Sequence, residues 1–194
     1  MPASPCLRKH YRWPLLMPGD PPATLDRATF LRPIAHRGLH DASQSVIENT
    51  IPAFAAAIQR GYGIECDVRP LADGTPVLFH DATWERLVEA PGPVAALDPA
   101  DLAKLRYRGT DQRIATFADL LYLVGGVLPG RNTYDPHRAV DPLETAAPLI
   151  VEIKSDWAAP HPAFLAKIAE LASAYRGPLA LMSFDPAVMA ALQT

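Results

Sequence analysis

Short apolar runs that end in ionisable residues constrain this chain more than any other feature. Pro148-Leu149-Ile150-Val151-Glu152-Ile153-Lys154 is the clearest of them. A run this short and this apolar reads as a strand covered on both faces, as parallel strands are. Pro33-Ile34-Ala35-His36-Arg37-Gly38, Gly63 to Arg69 and Pro76-Val77-Leu78-Phe79-His80-Asp81 follow the same plan, and Leu179 to Phe184 is a fifth apolar run. Between the runs lie helical patterns. Asn49 or Thr50 can cap a helix in which Ile51, Phe54, Ala55 and Ile58 share one face and Pro52 sits in the first turn; Gly61 ends it. Phe164, Leu165, Ile168, Leu171, Ala172 and Tyr175 line another, which stops at Gly177, and Asp185-Pro186 opens a last one. Strands that alternate with helices predict a parallel sheet under a helical layer, either an open doubly wound sheet or a (β/α)8 barrel. No GxGxxG follows the first strand, which disfavours a dinucleotide-binding sheet.

The other segments are less regular. Residues 1–30 read as a polar, proline-rich arm in which Thr24 to Leu31 forms a short helix. The barrel-like domain is expected over 31–194. Asp73-Gly74 marks a tight turn. Residues 82–147 read as an insertion-like segment, with helices at Pro99 to Leu105 and Phe117 to Val124 and a long loop from Gly125 to Ala147.

Composition removes several classes of function. With 49% hydrophobic and 20% charged residues the chain is neither disordered nor a coiled coil. A net charge of −3 gives no basic surface for nucleic acid. The 21 prolines suit many short connections. Cys6 and Cys66 make neither a disulfide framework nor a zinc site, and Cys66 reads as a buried inert thiol. No apolar stretch reaches the ~18 residues of a membrane span. Trp13 to Met17, broken by Pro14, is too short for the ~7–15-residue core of a signal peptide. A cytoplasmic protein without stable membrane insertion is expected.

Ionisable residues inside buried strands carry the chemistry. Glu65 and Asp67 are two apart and share a face, as do Glu152 and Lys154. Two carboxylates buried together need a cation or a proton between them. His36-Arg37 and His80-Asp81 close two further strands, and the C-terminal ends of parallel strands converge on one rim. Glu65, Asp67 and Glu152 offer three hard oxygen ligands, suited to Mg²⁺ or Ca²⁺ rather than zinc. Arg37 offers a planar fork for phosphate and Lys154 a compact positive charge. His36 and His80 allow one general acid and one general base. Together these groups describe metal-assisted phosphodiester cleavage. A serine hydrolase would need a GxSxG, which is absent.

His36-Arg37-Gly38, Glu48-Asn49-Thr50, Glu65-x-Asp67, Asp73-Gly74-x-Pro76-Val77, His80-Asp81 and Glu152-x-Lys154 occur in an order and spacing that resemble the glycerophosphodiester phosphodiesterase family. Ser183-Phe184-Asp185 looks like the end of that family's fifth strand. The resemblance covers about residues 33 to 186. It implies a (β/α)8 barrel with a segment inserted after the third strand, and metal-dependent hydrolysis of glycerophosphodiesters to an alcohol and sn-glycerol 3-phosphate. Carried over residue by residue, it makes Glu65, Asp67 and Glu152 the metal ligands and His36 and His80 the acid and base. Arg37 and Lys154 then hold the phosphate, and Asn49 either shapes the site or only caps the helix. Ile47 and Ala115-Thr116 depart from the family pattern, both in loops.

About five of the eight strands of a barrel are counted before Thr194, so a C-terminally truncated barrel is expected. Its open sheet edge would favour self-association. Two other readings stand beside the first. One is a phospholipase-like member of the same superfamily; the other is a non-catalytic barrel fragment that binds metal or a partner.

Overall fold

The computed structural model describes residues 27–125, 147–158, 160–175 and 177–192. Most of the expected N-terminal arm, Cys6, and the 126–146 part of the expected loop lie outside the described residues. The described part of the expected Thr24–Leu31 helix is a 3-10 turn, Arg27–Phe30. The main elements are β1 (Ile34–Ala35), α1 (Ile51–Gln59), β2 (Gly63–Pro70), β3 (Pro76–Leu78), α2 (Pro99–Leu102), α3 (Phe117–Gly125), β4 (Leu149–Ile153), α4 (Pro162–Ala174), β5 (Leu179–Met182) and α5 (Pro186–Ala191).

Local chemistry sets the helix starts. The Thr50 hydroxyl accepts from the Ala53 N–H at 3.4 Å and Pro52 occupies the first turn of α1, so Thr50 is the cap and Asn49 is free for other work. Asp98 and Asp185 cap α2 and α5 in the same way, each ahead of a proline. His161 caps α4 through its ring, a cap the sequence did not advertise.

The parallel strands lie in the order β1-β2-β4-β5. Each is laid beside the last in one direction, with α1 and α4 as crossovers, which is how a barrel is wound; a doubly wound sheet reverses its order part-way. β3 departs from expectation. It pairs with β2 antiparallel, Val68 against Leu78 and Pro70 against Pro76, so the five-stranded sheet contains four parallel strands and one hairpin strand. The reason is the short turn. Gly74, at φ +83° with its Leu71-bonded N–H, folds the chain straight back, whereas a parallel return needs a dozen or more residues.

Side chains along β2 and β4 sort by parity. Ile64, Cys66 and Val68 of β2, with Leu149, Val151 and Ile153 of β4, enter the main core beside Phe54, Phe117, Leu120, Phe164 and Ile168. The alternate positions, Glu65, Asp67 and Arg69 with Glu152 and Lys154, face the other way. A second core gathers Leu71, Val77, Phe79, Trp84, Val88, Val94, Tyr107 and Ile114. It packs the first part of the expected insertion, whereas α3 belongs to the main core through Phe117, Leu120, Leu121 and Val124. β5 is half-buried along its length, and Ser183 Oγ donates to the Ile153 carbonyl at 2.7 Å to tie its end to β4. Among the described residues no helix is long and apolar enough to cross a membrane.

Candidate active site

The ladder brings the carboxylates together. Asp67 and Glu152 are paired residues of β2 and β4, and Glu65 stands two residues before Asp67 on the same face. One carboxylate oxygen from each of Glu65, Asp67 and Glu152 lies within 4.8 Å of the others. Asp67 is fully buried, and Glu152 nearly so. Lys154 places its ammonium among them, donating to Glu152 at 2.6 Å and standing 3.0 Å from Asp67 Oδ1. Asp67 Oδ1 nevertheless has no aligned hydrogen bond, although it is buried. The lysine contact is one of charge rather than of directed hydrogen bonding. A buried carboxylate oxygen with a lone pair still unengaged, beside two more hard oxygens, fits a divalent cation.

Arg37 and Asn49 hold this cluster in place, and both adopt left-handed backbone, at φ +59° and +55°. Such a backbone costs a non-glycine residue free energy and persists only where surrounding bonds enforce it. Here the Arg37 N–H donates to Glu65 Oε2 at 2.9 Å, and the Asn49 N–H donates to the Arg37 carbonyl at 2.9 Å. The Asn49 amide then grips Asp67 twice: Nδ2 donates to Oδ2 at 2.8 Å, and Oδ1 accepts from the Asp67 N–H at 3.1 Å. Arg37 Nε lies 3.2 Å from Asp67 Oδ2. Burial pushes the Glu65 carboxyl up to about 7, with the neighbouring Asp67 and Glu152 charges adding to the effect and the Arg37 N–H opposing it.

The two histidines sit differently. His36 Nε2 is 4.0 Å from Glu65 Oε2, and its side chain is 69% exposed. His80 reaches the rim because β3 runs backwards: the Phe79 N–H donates to the Asp67 carbonyl at 3.1 Å, which sets His80 beside the level of the carboxylates. Arg69 fixes that backbone by donating from Nε to the His80 carbonyl at 2.7 Å. The His80 ring itself engages Asp81, Nδ1 to Oδ1 at 2.8 Å, and none of the three carboxylates.

Sequence reasoning assigned no role to Glu48, Asp81 or Arg86, yet they form a connected set. Glu48 Oε1 accepts from Arg37 NH1 at 2.9 Å and from Arg86 NH2 at 2.6 Å. Arg86 also donates from Nε and NH2 to the two oxygens of Asp81. Glu48 and Asp81 were visible inside the motifs quoted above. Arg86 lies in the irregular segment after them, where no periodicity singled it out.

A sequence model of the glycerophosphoryl diester phosphodiesterase family matches residues 36–194. The chain belongs to this family. Glycerophosphodiester phosphodiesterase 1 of Rattus norvegicus is 38% identical over 96 residues, 44% of this chain and 28% of that protein. A probable glycerophosphodiester phosphodiesterase 1 of Mycobacterium tuberculosis is 39% identical over 75 residues, 38% of this chain and 26% of that protein. The crystal structure of a glycerophosphodiester phosphodiesterase from Agrobacterium tumefaciens superposes with a TM-score of 0.60 at 25% identity, covering 84% of this chain and 62% of that one. A phosphodiesterase from Oleispira antarctica, solved in complex with the product sn-glycerol-3-phosphate, gives 0.65 at 22% identity, covering 86% of this chain and 63% of that one. The alignments with these curated relatives span less than a third of the relatives' length, and the chain covers under two thirds of the solved structures. The fold is of the (β/α)8 barrel type, with four parallel strands and the β3 hairpin strand among the described residues.

Proposed function

We propose that this site hydrolyses glycerophosphodiesters to an alcohol and sn-glycerol 3-phosphate with the help of a divalent cation, Mg²⁺ or Ca²⁺. The convergence of Glu65, Asp67 and Glu152 within 4.8 Å, in a chain of this family, carries the reading. These three residues would hold the cation, which when bound supplies a Lewis acid for the phosphoryl oxygens.

The remaining work belongs to the chain's own side chains. Arg37 and Lys154 hold the phosphate in this reading and offset its charge. Both are engaged with carboxylates, Arg37 with Glu48 and Asp67 and Lys154 with Glu152 and Asp67, so they are already oriented toward the cluster. Of His36 and His80, one takes a proton from the attacking oxygen and the other returns one to the departing alkoxide as its P–O bond breaks. Asn49 keeps Asp67 in position from the loop after β1. The substrate is a small water-soluble diester, and the sn-glycerol-3-phosphate held by the Oleispira antarctica relative supports that class.

Turnover of glycerophosphocholine by the full chain, with and without millimolar Mg²⁺ or Ca²⁺, tests the reading. Cation-dependent release of glycerol 3-phosphate that is lost in Glu65→Gln and in His36→Ala is expected. Unchanged turnover in both variants would sink the assignment, and preference for micellar phospholipid would redirect it to a phospholipase-like activity.

A further inference from the structure

Arg86 sits between two arms of the site. One arm comes from the segment between β1 and α1 and carries Glu48; the other follows β3 and carries His80 and Asp81. The Arg86 guanidinium engages both acids: NH2 and NH1 donate to Glu48 at 2.6 and 3.2 Å, while NH2 reaches Asp81 Oδ1 at 3.2 Å and Nε donates to Oδ2. Beyond Glu48 the chain of contacts continues to Arg37 and Asp67; beyond Asp81 it ends at the His80 ring. Arg86 touches none of the three clustered carboxylates, and its side chain is 46% exposed.

We propose that Arg86 is a positioning residue that fixes Asp81 against His80 Nδ1 and thereby sets the proton-transfer face of His80. The inference rests on the reading of His80 as an acid or base. A carboxylate only accepts, so a neutral His80 bonded to Asp81 must carry its proton on Nδ1, which leaves Nε2 unprotonated. Asp81 can do this only while its own direction is fixed. Asp81 is partly buried, and its carboxyl is held below the ordinary range against the pull of burial, by Arg86 and then His80. Without the guanidinium, Glu48 and Asp81 lose the cation they share and their like charges are no longer offset. Asp81 then turns toward water, and the His80 ring loses its preferred tautomer. A lysine cannot replace the arginine fully, because a single ammonium lacks the planar fork that serves both acids.

The test compares the full wild-type chain with Arg86→Met and Arg86→Lys by ¹⁵N NMR of the His80 ring in neutral buffer, alongside glycerophosphocholine turnover. The expected result for Arg86→Met is a His80 ring that moves from the Nδ1-protonated pattern toward a tautomer mixture. Its kcat should fall about 10–100-fold, while KM and the cation-induced rise in melting midpoint stay at wild-type values. Arg86→Lys should fall between the two. An unchanged His80 spectrum in Arg86→Met overturns the proposal, as does a loss confined to KM or to the cation response. Should Arg86→Met lack a cooperative melt, Asp81→Asn takes its place and must produce the same ring shift. If the wild type shows no turnover, the functional reading fails, while the His80 spectra still decide the role of Arg86.

Discussion

Asp67 shows how much one buried side chain asks of its neighbours. Its carboxylate has no access to water, so the polar partners it needs come from the protein: the Asn49 amide, Arg37 Nε and the Lys154 ammonium. Asn49→Ala removes both bonds to Asp67 while leaving the Thr50 cap intact. It should weaken cation binding about 10–100-fold and cost about 1–3 kcal/mol of stability. Titration calorimetry and chemical denaturation read the two effects separately. Glu65 yields a pH signature. Its folded-state value of about 7 lies above the ordinary 4.5, so between those values the folded chain binds more protons than the unfolded one. Cation-free stability therefore falls as pH rises from about 4.5 to about 7. A cation competes with that proton, so its stabilisation should grow over the same window and level off above it. Melts at several pH values with and without Mg²⁺ check this, and Glu65→Gln should flatten the dependence.

At the scale of elements, close contacts hold the strand ends in register with the helices. A Cβ on Gly38, which has φ +79°, would lie 2.8 Å from Ala53 Cβ and 2.9 Å from its carbonyl carbon at the start of α1. Gly38→Ala should therefore cost more than about 1 kcal/mol and displace the adjoining Arg37, with loss of turnover exceeding the loss of stability. Across the molecule, Lys167 of α4 clamps the β2–β3 turn by donating to the Asp73 carboxylate at 2.7 Å and to its carbonyl at 3.1 Å. Against the upward pull of burial, the Lys167 bond and the Thr75 bonds together hold the Asp73 carboxyl at about 2. A depressed carboxylate stabilises the fold above its unfolded value and loses that contribution as pH falls from about 4 to about 2. The effect should be small, because both side chains are more than a third exposed and water screens them. Lys167→Met should remove that part of the acid dependence in melts across the window.

For the molecule as a whole, the decisive arrangement is two cores meeting behind one site. The main core carries β2 and β4, which supply the carboxylates. The second core carries the segment after β3, which supplies Asp81 and Arg86. Trp84 is buried in that second core, with its ring centroid 4.8 Å from that of Phe79. Trp84→Ala should cost about 3–5 kcal/mol locally. Hydrogen exchange should then show amides over 82–114 opening before those of β2 and β4. The cation response should survive this change, because the proposed ligands stand on β2 and β4, the strands of the main core.

Much of this is legible in the sequence. The apolar runs with ionisable ends marked the strands, since side chains two apart on a strand must share a face. That rule alone grouped Glu65 with Asp67 and Glu152 with Lys154. The apolar run of β3 looks the same whichever way it is traversed, so its direction is carried by the Asp73-Gly74 turn alone, which is too short for a parallel return and leaves only the antiparallel pairing with β2. Nor could the sequence choose between Asn49 as a cap and Asn49 as a clamp on Asp67, since both uses ask for the same side chain. Only the left-handed turn at Asn49, with Thr50 already bonded to Ala53, settles the choice. Arg86 was hidden for a related reason. Its two acids are 38 and 5 residues away along the chain, and nothing short of folding brings all three within hydrogen-bond reach.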